Sequence, residues 1–236
     1  MRQFLFLVFN CCLGNIYGQQ LGTNMYEWMQ LGGDINGEAN YDESGFAVSI
    51  SGDGSRTAIG APYNAGGGTD RGHVRVYSYT TSWGQLGADI NGEGNNDRFG
   101  FSVSLDSDGS HLAVGAPYND DGGTNSGHVR VYEYTGSAWS QLGSDIVGPS
   151  GDYAGWSVSL SGDGGRVAMG IPKKGSKSTG RTKVYNYNSG TTSWDLMGSE
   201  IDGPSDYDYS GNSVSLSSDG TRLAVGAPRW GGGAKE

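Results

Sequence analysis

Short runs of alternating apolar and polar residues recur along the chain, and turns rich in glycine and aspartate separate them. A period of two over four to eight residues, with Val, Tyr and Trp enriched, predicts β-strands. One stretch contains four such runs, called strands A to D here: Phe101–Leu105, Leu112–Gly115, Val129–Tyr134 and Trp139–Ile146. The pattern therefore predicts an all-β fold.

The connections between these strands indicate hairpins. The turn between A and B contains Asp-Gly, a dipeptide favoured in tight hairpins because glycine and aspartate tolerate a positive φ. It recurs at equivalent places: Asp53-Gly54, Asp108-Gly109, Asp163-Gly164 and Asp219-Gly220. The connection between C and D is also short. Four antiparallel strands joined in this way form one blade of a β-propeller.

The four-strand pattern is repeated along the chain. Tryptophans that begin strand D are 55, 56 and 55 residues apart, and glycines that end strand B are 55, 55 and 56 residues apart. These anchors are Trp28, Trp83, Trp139 and Trp194, and Gly60, Gly115, Gly170 and Gly226. A unit of this size cannot bury a core alone, so neighbouring copies must cover one another. We predict a propeller built from four-stranded antiparallel blades.

About four repeats are present, and the last is incomplete. Counting from tryptophan to tryptophan divides a repeat domain of residues 19–236 into units 28–82, 83–138, 139–193 and 194–236. The last unit has strands A and B without a strand C. Strand D at Trp28 could close a four-bladed disc, but one damaged blade would leave exposed edges. We favour the alternative, a fragment or shortened relative of a larger ring.

The N-terminal residues have the features of a secretory signal peptide. Arg2 precedes the apolar run Phe4–Phe9, and Gly18 is a small residue at a distance suited to cleavage. Asn10 interrupts the apolar stretch, which is shorter than the ~20 residues that a spanning helix needs. We predict a signal peptide at residues 1–18, a secreted extracellular protein and no membrane span. Both cysteines lie in that segment, so the mature chain would contain no disulfide.

Composition narrows the classes of partner. The formal net charge is −10, which argues against a general nucleic-acid binder because phosphate binding needs clustered Lys and Arg. An acidic surface favours cations or basic partners instead. The 44 glycines are about a fifth of the chain, against about 7% in ordinary proteins. Their fixed places between strands indicate turns rather than disorder.

Long loops are expected on one side of the disc only. In antiparallel blades, the B–C and D–A loops emerge together, and in the second unit they run through residues 117–126 and 91–97. Loops on a rigid scaffold commonly carry function. The ligand-binding candidates are Asn119, Asp120 and Asp121 in the second unit, and Lys173, Lys174 and Lys177 in the third. The basic loop would receive an acidic glycan, a sulfated polymer or a carboxylate side chain, and the alternative is a solvated loop.

Two motifs, Phe99-Gly100 and Gly115-Ala116-Pro117, resemble the Phe-Gly and Gly-Ala-Pro marks of FG-GAP repeats, the blades of the integrin alpha-subunit head. Gly-Ala-Pro recurs at Gly60 and Gly226, whereas the phenylalanine is present only at Phe99. The resemblance implies a propeller whose usual ring has seven blades. It also implies extracellular recognition or adhesion without a chemical step.

The same resemblance raises the question of calcium. Integrin blades hold Ca²⁺ in the A–B hairpin through alternating oxygen ligands and a closing acid. Asp106 and Asp108 match the start of that pattern, but His111 and Leu112 stand where the acid is expected. We therefore favour a plain hairpin turn and predict no cofactor, with calcium at Asp106 and Asp108 as the alternative.

No catalytic residues are predicted. Paired carboxylates for glycoside hydrolysis must face one another across a fixed gap, and strand A of the second and third units contains no acid. His73 and His128 occupy equivalent positions before strand C, so we interpret them as blade residues.

The sequence thus favours a secreted recognition or adhesion module that binds protein or glycan through the B–C and D–A loops. Two hypotheses stay open beside it: a polysaccharide-processing enzyme on a propeller scaffold, and a purely structural matrix or wall protein.

Overall fold

The computed structural model describes residues 12–21, 25–173 and 178–229, and every regular element among them is a β-strand. The described residues include no helix of the length and apolarity needed to cross a membrane. Three complete five-stranded antiparallel sheets follow one another, with a two-stranded sheet at each end. The predicted all-β propeller architecture is confirmed.

The strands are numbered in chain order. The N-terminal hairpin consists of β1 (Cys12–Leu21) and β2 (Met25–Asn36). The first blade comprises β3 (Ala47–Ile50), β4 (Arg56–Ala61), β5 (His73–Tyr79), β6 (Trp83–Gln85) and β7 (Ile90–Asn91). The second comprises β8 (Ser102–Leu105), β9 (His111–Ala116), β10 (His128–Tyr134), β11 (Trp139–Gln141) and β12 (Ile146–Val147). The third comprises β13 (Ser157–Leu160), β14 (Arg166–Ile171), β15 (Arg181–Asn188), β16 (Ser193–Leu196) and β17 (Ile201–Asp202). The last sheet pairs β18 (Ser213–Leu216) with β19 (Leu223–Gly226).

Strand D differs from the prediction. The run from Trp139 to Ile146 is not one strand but two, β11 and β12, and both pair with β10. Gly143 lies between them with a φ of 75°. Because left-handed backbone leaves the ladder and glycine adopts it without a steric penalty, the strand breaks there and resumes three residues later, at Ile146.

The core lies between the blades rather than within one. Side chains alternate across β10 and its neighbours, so each sheet has two apolar faces. Leu112 and Val114 of the second blade pack with the first blade, whereas Ala113 and Val131 pack with the third. Phe99 is fully buried in the cluster shared by the first and second blades. Each blade therefore depends on its neighbours for burial, as the repeat predicts.

Strand A is the strand through which successive blades meet. β3, β8, β13 and β18 pack against one another in order. The Ser104 hydroxyl accepts a hydrogen bond from the Leu160 backbone N–H at 3.0 Å. Ser49 and Ser159 accept equivalent bonds from the next blade. The serine repeated in strand A therefore fixes the register between neighbouring sheets.

The glycine of Gly-Ala-Pro allows this close approach. A Cβ atom on Gly115 would lie 2.0 Å from the carbonyl oxygen of Gly155, at the entry to the third blade. Gly60 and Gly170 have the same relation to the blade that follows them. The two glycines of the sequence motifs thus touch across the blade interface, which explains why both are needed.

The repeated tryptophans also join blades. Trp139 Nε1 donates a hydrogen bond to the Leu86 carbonyl oxygen of the preceding blade at 2.8 Å. Trp83 and Trp194 make the equivalent bond to Leu31 and Leu142. These side chains hold the outer strands in place.

Candidate functional site

The B–C and D–A loops lie on one side of the array, called the loop face here. The B–C loop of the second blade pairs with the loop that enters the third. Tyr153 N–H donates to the Asn125 carbonyl at 3.1 Å, and Ala154 N–H donates to the Ser126 carbonyl at 2.9 Å. These backbone bonds give the loop face a fixed shape.

The three candidates in the second B–C loop have different surroundings. Asn119 is 2% exposed, and its amide nitrogen donates to Asp97 of the D–A loop at 2.9 Å. Asp120 is exposed and accepts a bond from the Asn125 backbone N–H. Asp121 is exposed, and its carboxylate points towards the start of β10. Asn119 therefore ties the two loops together, whereas the two aspartates face solvent.

A charged cluster lies behind Asp121. His128 is 1% exposed, and its Nδ1 is 3.6 Å from Asp121 Oδ2 and 3.9 Å from Glu93 Oε1. Burial lowers the pKa of His128, and the nearby Arg130 lowers it further. Burial and Arg130 therefore both favour the neutral imidazole over the charged form.

Arg130 neutralises part of this cluster. Its guanidinium donates two hydrogen bonds to Asp145, at 2.8 and 2.7 Å, and pairs with Glu93 Oε2 at 2.6 Å. Burial opposes the charge on Arg130, but the bonds to both carboxylates outweigh it and raise its pKa. Two carboxylates thus pair with one permanent cation.

The other complete blades have related but different clusters. In the first blade, His73 and Arg75 lie near Glu38, and Gly66 stands at the position of Asp121. In the third blade, Arg181 stands at the position of His128, and its guanidinium pairs with Glu200.

A second feature of the loop face is a row of aromatic rings and cations, called the aromatic–cation band. The Arg98 guanidinium lies over the rings of Tyr118, at 4.2 Å, and Tyr63, at 4.7 Å. Tyr118 meets Tyr153 edge-on at 5.2 Å, and Lys173 Nζ lies 4.2 Å from the Tyr153 centroid. The band crosses all three complete blades.

Further rings lie inside the band. Phe101 is in contact with Phe46 and Trp156, with centroids 4.8 and 4.7 Å apart. Beside Trp156 is a cleft of about 310 Å³ that Lys173 and Arg229 also line. Aromatic faces and cations therefore occur together in one concave region.

The basic candidates are only partly placed. Lys173 lies in the aromatic–cation band, whereas Lys174 and Lys177 fall outside the described residues.

The calcium alternative concerns the opposite side of the disc. The Asp106 carboxylate accepts hydrogen bonds from the His111 backbone N–H at 3.0 Å and from His111 Nδ1 at 2.7 Å. Asp108 accepts the Ser110 N–H at 2.8 Å, and hydrogen bonds from Ser110 lower its pKa. The hairpin's own donors therefore occupy these oxygens.

Sequence reasoning missed several residues of the loop face. Glu93 and Asp145 were not singled out, although Gly-Glu after strand D occurs in two units and an acid precedes the isoleucine in all four. Arg98 and Trp156 were missed because each occurs once at its repeat position, and Tyr153 was missed because tyrosine recurs there only at Tyr209. The periodicity conceals such differences unless the units are aligned.

A family model described as FG-GAP repeat matches residues 91–132. Residues 91–132 are therefore similar to an FG-GAP repeat. The matched segment begins in β7, contains the predicted Phe-Gly and Gly-Ala-Pro motifs, and ends in β10. The predicted resemblance to the FG-GAP β-propeller family is confirmed.

Solved structures support the propeller fold. A putative 6-phosphogluconolactonase from Bacteroides uniformis has a TM-score of 0.55 and 12% identity, covering 81% of this chain and 49% of that one. Another from Bacteroides fragilis has a TM-score of 0.52 and 10% identity, covering 75% and 44%. The chain thus spans about half the length of these structures, and the likeness concerns fold alone. No curated protein sequence matches the chain significantly.

Proposed function

We propose that this protein is a secreted, extracellular recognition module that binds acidic glycans through its loop face. The observation that carries the proposal is the aromatic–cation band. Sugar rings stack on aromatic faces, and uronate or sulfate groups pair with Arg and Lys. Tyr118 and Tyr153 offer the rings, and Arg98 and Lys173 offer the charges.

The net charge of the whole chain indicates that an acidic glycan would bind only at a local, positively charged site. With a formal net charge of −10, a polyanion is repelled by most of the surface. Binding would therefore require positive charge at one place. Lys173 and Arg229 provide it at the aromatic cleft, and Arg98 provides it over the Tyr118 ring.

The geometry also suits a polymer. The band crosses blade boundaries, and the inner rings of Phe101 and Trp156 run beside it. Backbone bonds between neighbouring loops hold this surface in advance, so little ordering is needed on binding. We include no chemical step in the proposal.

The test is an array of neutral, uronate-containing and sulfated polysaccharides, followed by affinity measurements on the best ligand. We expect the protein to bind an anionic member. Replacing Lys173 by Gln removes a charge that would pair with the glycan, and replacing Tyr153 by Ala removes a ring on which a sugar would stack. Each should weaken binding about tenfold, which corresponds to a loss of about 1.4 kcal/mol.

Arg222→Gln is the matched control, because Arg222 is an exposed cation beside the A–B turn, away from the loop face. Its affinity should equal that of the parent. If glycan binding were lost in Arg222→Gln as well as in Lys173→Gln, the net charge of the protein would explain the loss. That result would contradict a defined site. Binding to none of the polysaccharides would favour a structural role, and release of reducing sugar would favour the enzyme.

A further inference from the structure

We propose that Glu93, Asp121 and His128 form a binding site for a divalent first-row transition metal, with Zn²⁺ as the representative ion. The site lies on the loop face of the second blade, where the B–C and D–A loops meet the start of β10. It is independent of the aromatic–cation band.

The spacing of the ligand atoms fits one ion. His128 Nδ1 lies 3.6 Å from Asp121 Oδ2 and 3.9 Å from Glu93 Oε1. All the potential ligand atoms of the cluster, with Asp145 included, lie within 4.8 Å of one another. Zinc–nitrogen and zinc–oxygen bonds of about 2.0–2.2 Å place neighbouring ligands roughly 3–4 Å apart. Only small side-chain adjustments separate the present arrangement from coordination.

The buried histidine supplies an independent observation. Both ring nitrogens of His128 are buried, and neither has a hydrogen-bond partner. A buried polar atom left unpaired costs about 1–3 kcal/mol. An ion between His128 and the two carboxylates would give Nδ1 a partner. The lowered pKa is consistent with this role, since the neutral imidazole is the form that binds metals.

The charges around the histidine also favour a cation. Glu93 presents Oε2 to Arg130 and Oε1 towards His128, with the Asn119 amide nitrogen 3.5 Å from that second oxygen. Arg130 is also paired with Asp145. One guanidinium therefore balances one of the three carboxylates, and the remaining negative charge faces the imidazole.

The third blade shows what can occupy the equivalent space. Arg181 replaces the histidine there, and its guanidinium pairs with Glu200. A fixed positive charge thus stands where the second blade has a neutral ring facing two acids. The first blade has His73 and Glu38, but Gly66 replaces Asp121. Only the second of the three complete blades combines all three ligands.

The ligand set indicates the class of metal. Imidazole nitrogen suits zinc and its neighbours in the first transition row, whereas Ca²⁺ and Mg²⁺ prefer oxygen ligands throughout. Three protein ligands also leave a coordination position for water or for a ligand's oxygen atom. We therefore expect Zn²⁺ to bind more tightly than Ca²⁺.

The experiment is a calorimetric titration of the chelator-treated full chain with ZnCl₂, and with CaCl₂ in parallel. We expect one zinc site and weaker or no calcium binding. Asp121→Asn should lower zinc affinity at least tenfold. Asp120→Asn is the matched control, because an asparagine at this neighbouring position keeps the side-chain oxygen that accepts the Asn125 N–H. The zinc affinity of this variant should not change.

A second measurement locates the ion. The chain has three histidines, so their ring signals can be followed individually by NMR. Zinc should shift the signals of His128 and leave those of His111 unchanged. The variant His128→Arg, which copies the third blade, should stay folded and lose zinc binding.

Three results would overturn the proposal. They are the absence of zinc binding to the parent chain, equal zinc affinity in the parent and Asp121→Asn, and zinc-dependent shifts at His111 instead of His128. Tighter binding of calcium than of zinc would contradict the assigned class of metal.

Discussion

The second and third blades share their interior and differ on the loop face. Both carry, near the end of strand B, a glycine that meets the next blade, and both carry the tryptophan that bonds to the preceding one. On the loop face, His128 becomes Arg181. At the position of Tyr118 and Asn119, the third blade has two lysines, of which Lys173 is described.

This difference separates two kinds of position. Residues that repeat faithfully make contacts from one blade to the next, so changing one affects stability. Phe99 is a buried exception, but most of the varying residues described above face solvent or the loop-face clusters, where a change alters charge and shape but not the array. Function is therefore to be sought where the repeats disagree.

The largest effect is expected at the shared glycines. Gly115→Ala and Gly170→Ala each place a methyl group 2.0 Å from a carbonyl oxygen of the next blade. Backbone on both sides must shift, and we expect each variant to lose about 3 kcal/mol of unfolding free energy. Urea denaturation measures the loss, which should be similar in the two blades.

Two other glycines serve as controls. Among the described residues, Gly84→Ala adds a methyl group with no atom within 4 Å beyond its chain neighbours, and the nearest atoms to a methyl group at Gly226 all belong to Ser213 of its own sheet. Both should change stability by less than about 1 kcal/mol. If Gly115→Ala were as mild as Gly84→Ala, close approach would not be the reason for the motif.

A smaller effect, again equal in the two blades, is expected at the tryptophans. Trp139→Phe and Trp194→Phe keep an aromatic ring but remove the donor to the carbonyl of the preceding blade. We expect a loss of about 1.5 kcal/mol in each, measured by denaturation. Unequal losses would show that the two interfaces are not equivalent.

The smallest effect is expected in the A–B hairpins, where the second and third blades also differ. His111 of the second blade corresponds to Arg166 of the third. The hydrogen bond with Asp106 raises the pKa of His111 above its usual value, so the protonated form is favoured in the folded state. Its stabilisation is present below the unfolded pKa and is lost as pH rises through the folded pKa.

His111→Arg, which stays charged, should remove this dependence. We expect the stability of the parent relative to the variant to fall by about 1 kcal/mol between pH 6 and 8.5, measured by urea denaturation at each pH. A constant difference across this range would contradict a titrating pair at His111.

The fold could be predicted well from the sequence because its determinants are periodic. Strands A to C, the Asp-Gly hairpins and the side on which the loops lie all follow from local pattern and spacing. The break at Gly143 could not be predicted, since a single glycine in a strand pattern also fits a continuous strand. The reason that both motif glycines are required became clear only from the distance between Gly115 and Gly155.

The candidate sites were less predictable. The loops were identified from the sequence. However, Asn119 is a structural link between two of them, and the aromatic partner of Lys173, Tyr153, is distant from it in the sequence. Glu93 and His128 are 35 residues apart and meet only through the blade geometry. Proximity of this kind depends on tertiary packing, which a strand pattern does not contain.

The serine bonds between successive A strands have an evolutionary consequence. Ser49, Ser104 and Ser159 each bond to the blade that follows, and each does so in the same manner. A unit copied within the gene would therefore meet compatible partners on both flanks. Copy number can change by duplication or loss of whole units, while selection acts separately on the exposed loops of each copy.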